Sequence, residues 1–346
     1  YTAIDDPEAY FQVKLYTGNG TAIGSGGLAN TFDGDTDLQP DMVWIKNRDA
    51  TDSHQLFDAV RGVTKRVLPD VTTGEETDAE TLTTFGSDGF TVGDDVAVNT
   101  NTEKYVAWCW KANGSGSANT VGDINSTVSV NTTSGLSIVK YVGSGTNDDD
   151  VGHGLGAAPK MILFKNLSTS VVWIVGHDGV GWTEIFFLNT TAAKATDSNA
   201  FNNTTPSSTV FTLGPNAGTG TNETDSNFIA YCFANVQGFS KFGTYEGNGN
   251  ANGTFVYTGF RPAFVMTKSV DSTSSWEMFD NKREGYNVDN DALVAEVTTV
   301  EATADQIDLL SNGFKLRIAT DPNVAETYMY MAFAEAPFVN SNGVPC

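Results

Sequence analysis

The chain has 346 residues, with 42 acidic side chains against 19 basic ones and a net charge of −23. Such a surface repels phosphate backbones and anionic lipid headgroups, so it argues against nucleic-acid and membrane partners, and no apolar run approaches the roughly 20 residues of a membrane span. Abundant Gly, Asn, Thr and Ser predict short strands joined by turns.

The first element repeats along the chain. Residues 11–16 alternate between apolar and polar side chains, the pattern of a half-buried strand. This strand ends in Tyr-x-Gly-[Asn/Ser]-Gly, a motif that occurs at Tyr16–Gly20, Tyr141–Gly145 and Tyr245–Gly249. A motif that recurs at wide intervals predicts tandem copies of one structural unit.

An acidic loop follows in the first copy. The carboxylates of Asp33, Asp35 and Asp37 alternate with Gly34 and Thr36, a spacing that could hold Ca²⁺ together with backbone oxygens. An EF-hand needs an acidic residue where Trp44 stands, and the other copies lack the acidic triplet. We therefore interpret this loop, and Asn147–Asp150 likewise, as solvated, with structural Ca²⁺ as the alternative. The sequence indicates no other cofactor.

The next element combines the motif Pro-x-[Met/Phe]-[Val/Ile]-x-x-Lys with two later positions. The first holds an aromatic residue or histidine, called the anchor here, and the second, four residues on, holds an ionisable residue. The motif occurs at Pro40–Lys46, Pro159–Lys165 and Pro262–Lys268. The anchors are His54, Trp173 and Trp276, each followed four residues later by Asp58, His177 and Asp280.

Asp58 and Asp280 each precede an arginine by three residues, Arg61 and Arg283. This spacing favours structural ion pairs over a shared catalytic acid, because the second copy has His177 at that position. The three histidines, His54, His153 and His177, have no hydrolase, metalloprotease or kinase context, so we predict no catalytic residue.

The last element is a strand with apolar residues on both faces. It occurs at Tyr105–Trp110, Phe228–Phe233 and Tyr328–Phe333, in each copy after a phenylalanine that follows turn residues. A strand with a solvated outer face should be polar there, so we expect a neighbouring copy, a loop or another subunit to cover it.

The cysteine and tryptophan positions are typical of buried core residues rather than of reactive or ligand-binding ones. Cys109 and Cys232 share a position that Ala332 holds in the third copy, which favours small buried groups, and Cys346 should form no covalent bond. Trp44, Trp173 and Trp276 stand in apolar strands and are predicted core residues. If a sugar is bound, Trp182 or Tyr286 are candidate ligands.

These elements predict an all-β protein of three tandem β-sandwich domains of jelly-roll type. The predicted units are repeat 1 over 1–113, a linker over 114–135, repeat 2 over 136–238, repeat 3 over 239–338 and a C-terminal tail over 339–346. The composition of 112–135 predicts little regular structure there. Repeats 2 and 3 should pack together, and repeat 1 should dock on repeat 2 or on a neighbouring subunit.

Several of these segments resemble a repeat found in structural proteins of marine tailed bacteriophages. They are Lys14–Gly20, Pro40–Arg48, Leu56–Gly62, Tyr105–Lys111 and Ala332–Phe338. The resemblance covers nearly the whole chain. It implies tail-fibre, appendage or capsid-associated proteins with a concanavalin A-like lectin fold.

The sequence and this resemblance together predict a non-enzymatic virion structural or appendage protein, located in the virion or outside the cell. Its expected partners are other virion proteins or further copies of the chain, with a host-surface glycan as a possible ligand. The alternative is a carbohydrate-binding lectin module of a secreted or filament-forming protein. A glycoside hydrolase is a remote alternative, because 42 acidic residues make any carboxylate pair uninformative.

Overall fold

The computed structural model describes residues 1–215, 220–283, 287 and 290–346. It is nearly all β with several antiparallel sheets, so the predicted all-β sandwich class is confirmed. Within the described residues, no helix combines the length and the apolar character of a membrane span. The α-helices in the described part of the chain, α1 (Val96–Asn99) and α2 (Ser198–Phe201), are single turns.

The first part of the chain forms short strands separated by turns, with 3₁₀ turns at Pro7–Ala9 and Ile23–Ser25. The strands are β1 (Phe11–Thr17), β2 (Leu28–Asn30), β3 (Met42–Asn47), β4 (Gln55–Asp58), β5 (Lys65–Arg66), β6 (Glu76–Thr77), β7 (Leu82–Gly86), β8 (Gly89–Val92) and β9 (Lys104–Trp110). Four of them form the first sheet, in the order β1-β9-β3-β4. A second layer, β2-β8-β7, covers one face of this sheet, and β5 pairs with β6.

The middle part repeats this arrangement with additional strands. They are β10 (Ser117–Asn119), β11 (Ser126–Asn131), β12 (Leu136–Val142), β13 (Asp150–Gly152), β14 (Met161–Asn166), β15 (Ile174–His177), β16 (Glu184–Phe187), β17 (Ala195–Thr196), β18 (Val210–Thr212) and β19 (Asn227–Phe233). The second sheet runs β10-β11-β12-β19-β14-β15-β16-β17, and β13 and β18 form its second layer.

The final part contains β20 (Ser240–Glu246), β21 (Phe255–Tyr257), β22 (Phe260–Ser269), β23 (Glu277–Asp280), β24 (Asn290–Val294), β25 (Ala302–Ala304), β26 (Ile307–Leu310), β27 (Gly313–Leu316) and β28 (Thr327–Pro337). The third sheet runs β20-β28-β22-β23-β24-β25, with β21-β27-β26 as its second layer. The order seen in β1-β9-β3-β4 thus recurs as β12-β19-β14-β15 and as β20-β28-β22-β23. The exact domain boundaries stay a prediction.

The expectation that 112–135 lacks regular structure is wrong for 117–119 and 126–131. Strand β11 pairs antiparallel with β12 along its whole length, from Ser126 opposite Tyr141 to Asn131 opposite Leu136. The reason is local: Val128 and Val130 alternate with polar residues, and Gly135 takes a φ of +72° in the connecting turn. The segment therefore extends the second sheet.

The final strands β9 and β19 face two cores. In β9, Tyr105, Ala107 and Cys109 pack against the first sheet's own second layer. Val106, Trp108 and Trp110 instead enter a core shared with the second and third sheets. The second sheet divides β19 in the same way. Both apolar faces of these strands are thus covered by other parts of the same chain. No second subunit is needed to cover them.

Candidate functional site

The predicted ion pairs are confirmed and fully buried. The Asp58 carboxylate accepts from Arg61 Nε, and both side chains are 0% exposed. Asp280 Oδ2 lies 2.6 Å from Arg283 Nε, again with both side chains at 0%. Each carboxylate also accepts from its arginine's backbone N–H, so the pair closes the turn after its strand.

These pairs lie where the sheets meet. Tyr231 of the second sheet donates its hydroxyl to Asp58 Oδ2 of the first at 2.8 Å. Trp108 of the first sheet donates Nε1 to Asp280 Oδ2 of the third at 3.0 Å.

A third contact joins the second sheet to the third: His177 Nε2 lies 3.3 Å from the backbone oxygen of Tyr330. The contacts therefore run in a cycle through all three sheets. The expectation that the first part docks on the second or on another subunit was incomplete, because it also contacts the third. Packing of the second and third parts against each other is confirmed.

The lysine of each Pro-x-x-x-x-x-Lys motif is buried and holds backbone oxygens. Lys165 Nζ donates to Thr72 O at 2.9 Å, and Lys268 Nζ donates to Thr191 O at 3.1 Å, each across a boundary between sheets. Lys46 binds carbonyls of its own turn. Burial lowers the pKa of all three ammonium groups to about 8. The three lysines therefore fix backbone segments, and two of them do so across a boundary between sheets.

The predicted core tryptophans Trp44, Trp173 and Trp276 are at most 2% exposed, which confirms their assignment. Two of them also bridge sheets: Trp173 Nε1 donates to Leu68 O at 2.9 Å, and Trp276 Nε1 donates to Phe187 O at 3.1 Å. The recurrent anchor is therefore part of the contact between sheets.

The Tyr-x-Gly-x-Gly motif is a structural turn held by a buried asparagine. Asn99 Oδ1 accepts from Asn19 N, Asn222 Oδ1 accepts from Ser144 N, and Asn323 Oδ1 accepts from Asn248 N. Sequence reasoning missed these three asparagines. Their signal was present, since each stands five or six residues before the first aromatic residue of the final strand.

The central glycine of this motif is required by a close approach of backbone. A Cβ added at Gly143 would clash with the Glu223 carbonyl oxygen. A Cβ added at Gly24 would have no atom within 4 Å. We expect Gly143→Ala to lower the free energy of unfolding by about 1–3 kcal/mol, because backbone must move. Gly24→Ala is the control and should change it by less than about 0.5 kcal/mol. Equal urea midpoints for the two variants would contradict the assignment.

The three histidines are buried in the interior of the protein. His54 and His153 are 0% exposed and His177 is 1% exposed. Burial lowers their pKa values to about 3, 4 and 4 respectively. His54 accepts the Trp44 indole N–H at 2.9 Å, which fixes the ring within the core.

We expect the histidines to remain neutral in the folded protein when the pH is lowered from 7 to 5. Their folded pKa values lie below the unfolded value of about 6.5, so their stabilising contribution is complete above pH 6.5 and is lost as the pH falls towards 4. NMR titration of the imidazole C–H signals measures this directly. A histidine that titrates near pH 6.5 in the native protein would show that its burial is misassigned.

The acidic loops have ordinary protein partners. Lys14 Nζ lies 2.8 Å from Asp33 Oδ1, and Asp33 is 70% exposed. In the second loop, Asp149 accepts from Ser144 and Asp150 accepts from Thr212. Among the residues that the structure describes, no group of three or more His, Cys, Asp or Glu could hold a metal ion.

Of the two candidate aromatic sugar ligands, only Trp182 lies among the described residues. It is only 4% exposed, and its ring packs edge-on against Phe201 with 4.8 Å between the ring centres, so it offers no open surface to a sugar. The Trp182 ring belongs to the core of the second sheet. Tyr286 lies outside the described residues.

Both predicted cysteine positions are confirmed as buried free thiols. Cys109 and Cys232 are 0% exposed, and burial raises the pKa of each. Cys346 is an exposed free thiol.

One open groove combines aromatic and amide side chains. This connector groove has a volume of about 430 Å³ and is lined by 1–2, 235–238, 240–241, 257–259 and 338–339. It lies beside the segment that joins the second sheet to the third. Pockets of this size suit small molecules. Sequence reasoning did not find it, because its walls come from segments that are far apart along the chain.

The geometry defines the chain as an all-β protein whose three similarly ordered sheets share a core. A family model described as "Domain of unknown function (DUF7483)" matches residues 6–337, and the chain belongs to that family. No curated protein and no solved structure matches the chain.

Proposed function

We propose that the chain is a non-enzymatic structural component of a virion: a fibre, a decoration or a host-contact protein. The setting rests on the resemblance of its repeated segments to structural proteins of marine tailed bacteriophages. Other virion proteins are the proposed partners, and the virion surface or the extracellular medium is the proposed location.

The observation that supports a structural role most strongly is the cycle of buried contacts. Asp58, Asp280 and His177, the recurrent ionisable positions, each bind a strand of another sheet. Groups that in an enzyme would face a cleft are here used to hold one sheet against the next. A body held together in this way suits a building or display role.

The charge supports an extracellular setting. A net charge of −23 keeps a protein hydrated and separate from nucleic acid and from anionic membranes. The shared core already covers the doubly apolar strands, so contacts with virion partners would use the polar exterior.

Antibodies against the folded chain test the proposal on phage particles from the culture that carries the gene. We expect immunogold labels at one part of the particle, the tail or the capsid, and peptides of the chain in particles purified on a density gradient. Labelling restricted to soluble material, with no peptides in intact particles, would overturn the virion role.

A further inference from the structure

We propose that the connector groove binds an uncharged saccharide. The inference goes beyond the structural role and does not rest on it, because it is drawn from the groove's own chemistry. Three features carry it: the charge of the lining, an exposed tyrosine and two exposed amides.

The lining of the groove contains no Asp or Glu, although the chain carries 42 acidic residues. Its one charged side chain is Lys241, whose Nζ donates to Tyr257 O at 2.6 Å. Burial lowers the pKa of this ammonium group. Since the whole protein repels polyanions and the groove offers no carboxylate to a cation, a neutral ligand fits best.

Tyr257 supplies an aromatic surface. It is 53% exposed, although pairing of β21 with β27 fixes its backbone. The Lys241 ammonium lies 5.3 Å from the centre of the ring and restrains its orientation. The face of an aromatic ring is electron-rich, so it attracts the weakly positive C–H groups on the face of a sugar ring.

Asn235 and Gln237 supply hydrogen bonds. Both residues are exposed in the segment that joins the second and third sheets. Asn235 Oδ1 accepts from Phe242 N at 2.8 Å, which orients the amide and leaves its NH₂ group to donate. The Gln237 amide has no hydrogen-bond partner within the described residues. Primary amides both donate and accept, as sugar hydroxyls do.

An array of neutral oligosaccharides built from glucose, galactose, mannose and N-acetylglucosamine, with sialylated and sulfated counterparts, tests the proposal. We expect the full chain to bind at least one neutral member, and titration calorimetry should give an affinity that is insensitive to salt. Binding confined to acidic glycans and abolished by salt would overturn the proposal, as would no binding of any neutral member at millimolar concentration.

Two variants locate the site. Tyr257→Ala should weaken binding of the neutral glycan by about tenfold through loss of stacking, and Gln237→Ala should weaken it by a similar factor. Phe255→Ala is the matched control, because Phe255 stands on the same strand, is 45% exposed and does not line the groove. Its affinity should stay within about twofold of wild type.

Both groove residues are exposed, so the variants should melt within a few degrees of the wild-type protein. Tyr257→Phe, which keeps the ring, should retain most of the affinity and separates stacking from loss of structure. Wild-type affinity in both alanine variants would overturn the assignment of the groove. Neither result depends on whether the chain is found in virions.

Discussion

Asp58→Ala should lower the free energy of unfolding by about 3–5 kcal/mol, the usual cost of removing one partner from a buried ion pair. The change leaves the guanidinium of Arg61, at 0% exposure, without its hydrogen-bonded carboxylate, and the remaining acid, Glu75, lies 3.7 Å away. It also deprives the Tyr231 hydroxyl of the acceptor that it reaches from the second sheet at 2.8 Å. Two sheets therefore lose a contact through one substitution.

Urea denaturation followed by tryptophan fluorescence and by far-ultraviolet circular dichroism measures this loss. Asp33→Ala is the control: Asp33 is paired with Lys14 but is 70% exposed, so its removal should cost less than about 1 kcal/mol. A loss below about 1 kcal/mol for Asp58→Ala would mean that the buried pair does not hold the first and second sheets together.

Trp108→Ala should destabilise the protein by a similar amount, about 3–5 kcal/mol, because it leaves a cavity where the first and third sheets pack together. The indole is 0% exposed, packs against Phe264 at 5.7 Å and lies 5.7 Å from the Arg283 guanidinium. Its Nε1–H also donates to Asp280 at 3.0 Å.

Trp108→Phe separates packing from hydrogen bonding. It keeps an aromatic ring but leaves Asp280 with one donor fewer, so its cost should be smaller, about 1.5–3 kcal/mol. The order wild type, Trp108→Phe, Trp108→Ala in urea midpoint is the expected result. Equal midpoints for Trp108→Ala and the wild-type protein would show that the first and third sheets are not coupled through this ring.

The residues that repeat along the chain allowed most of the fold to be predicted. The final strand, with Trp108 on one face and Cys109 on the other, indicated two buried faces through its apolar pattern alone. The Asp58–Arg61 pair was also predictable, because an interval of three residues brings both side chains to one turn. Such patterns are local, so a single sequence reveals them.

The cycle of contacts was not predictable in the same way. Tyr231 and Asp58 are 173 residues apart, and each fits its own strand equally well without the other. Strand β11 was missed because a Ser/Thr/Asn-rich composition outweighed the alternation of Val128 and Val130. The connector groove draws on segments that are distant along the chain, and none of its residues differs from an ordinary surface residue in sequence.

The cycle of contacts also changes how the assembly responds to dilution. A ring of three separate subunits comes apart once its concentration falls below the dissociation constant. Here all three sheets belong to one polypeptide, and only 234–239 separates the second from the third. Short connections between binding partners give effective concentrations on the order of millimolar. The three contacts should therefore persist at any protein concentration, as a property of the single molecule.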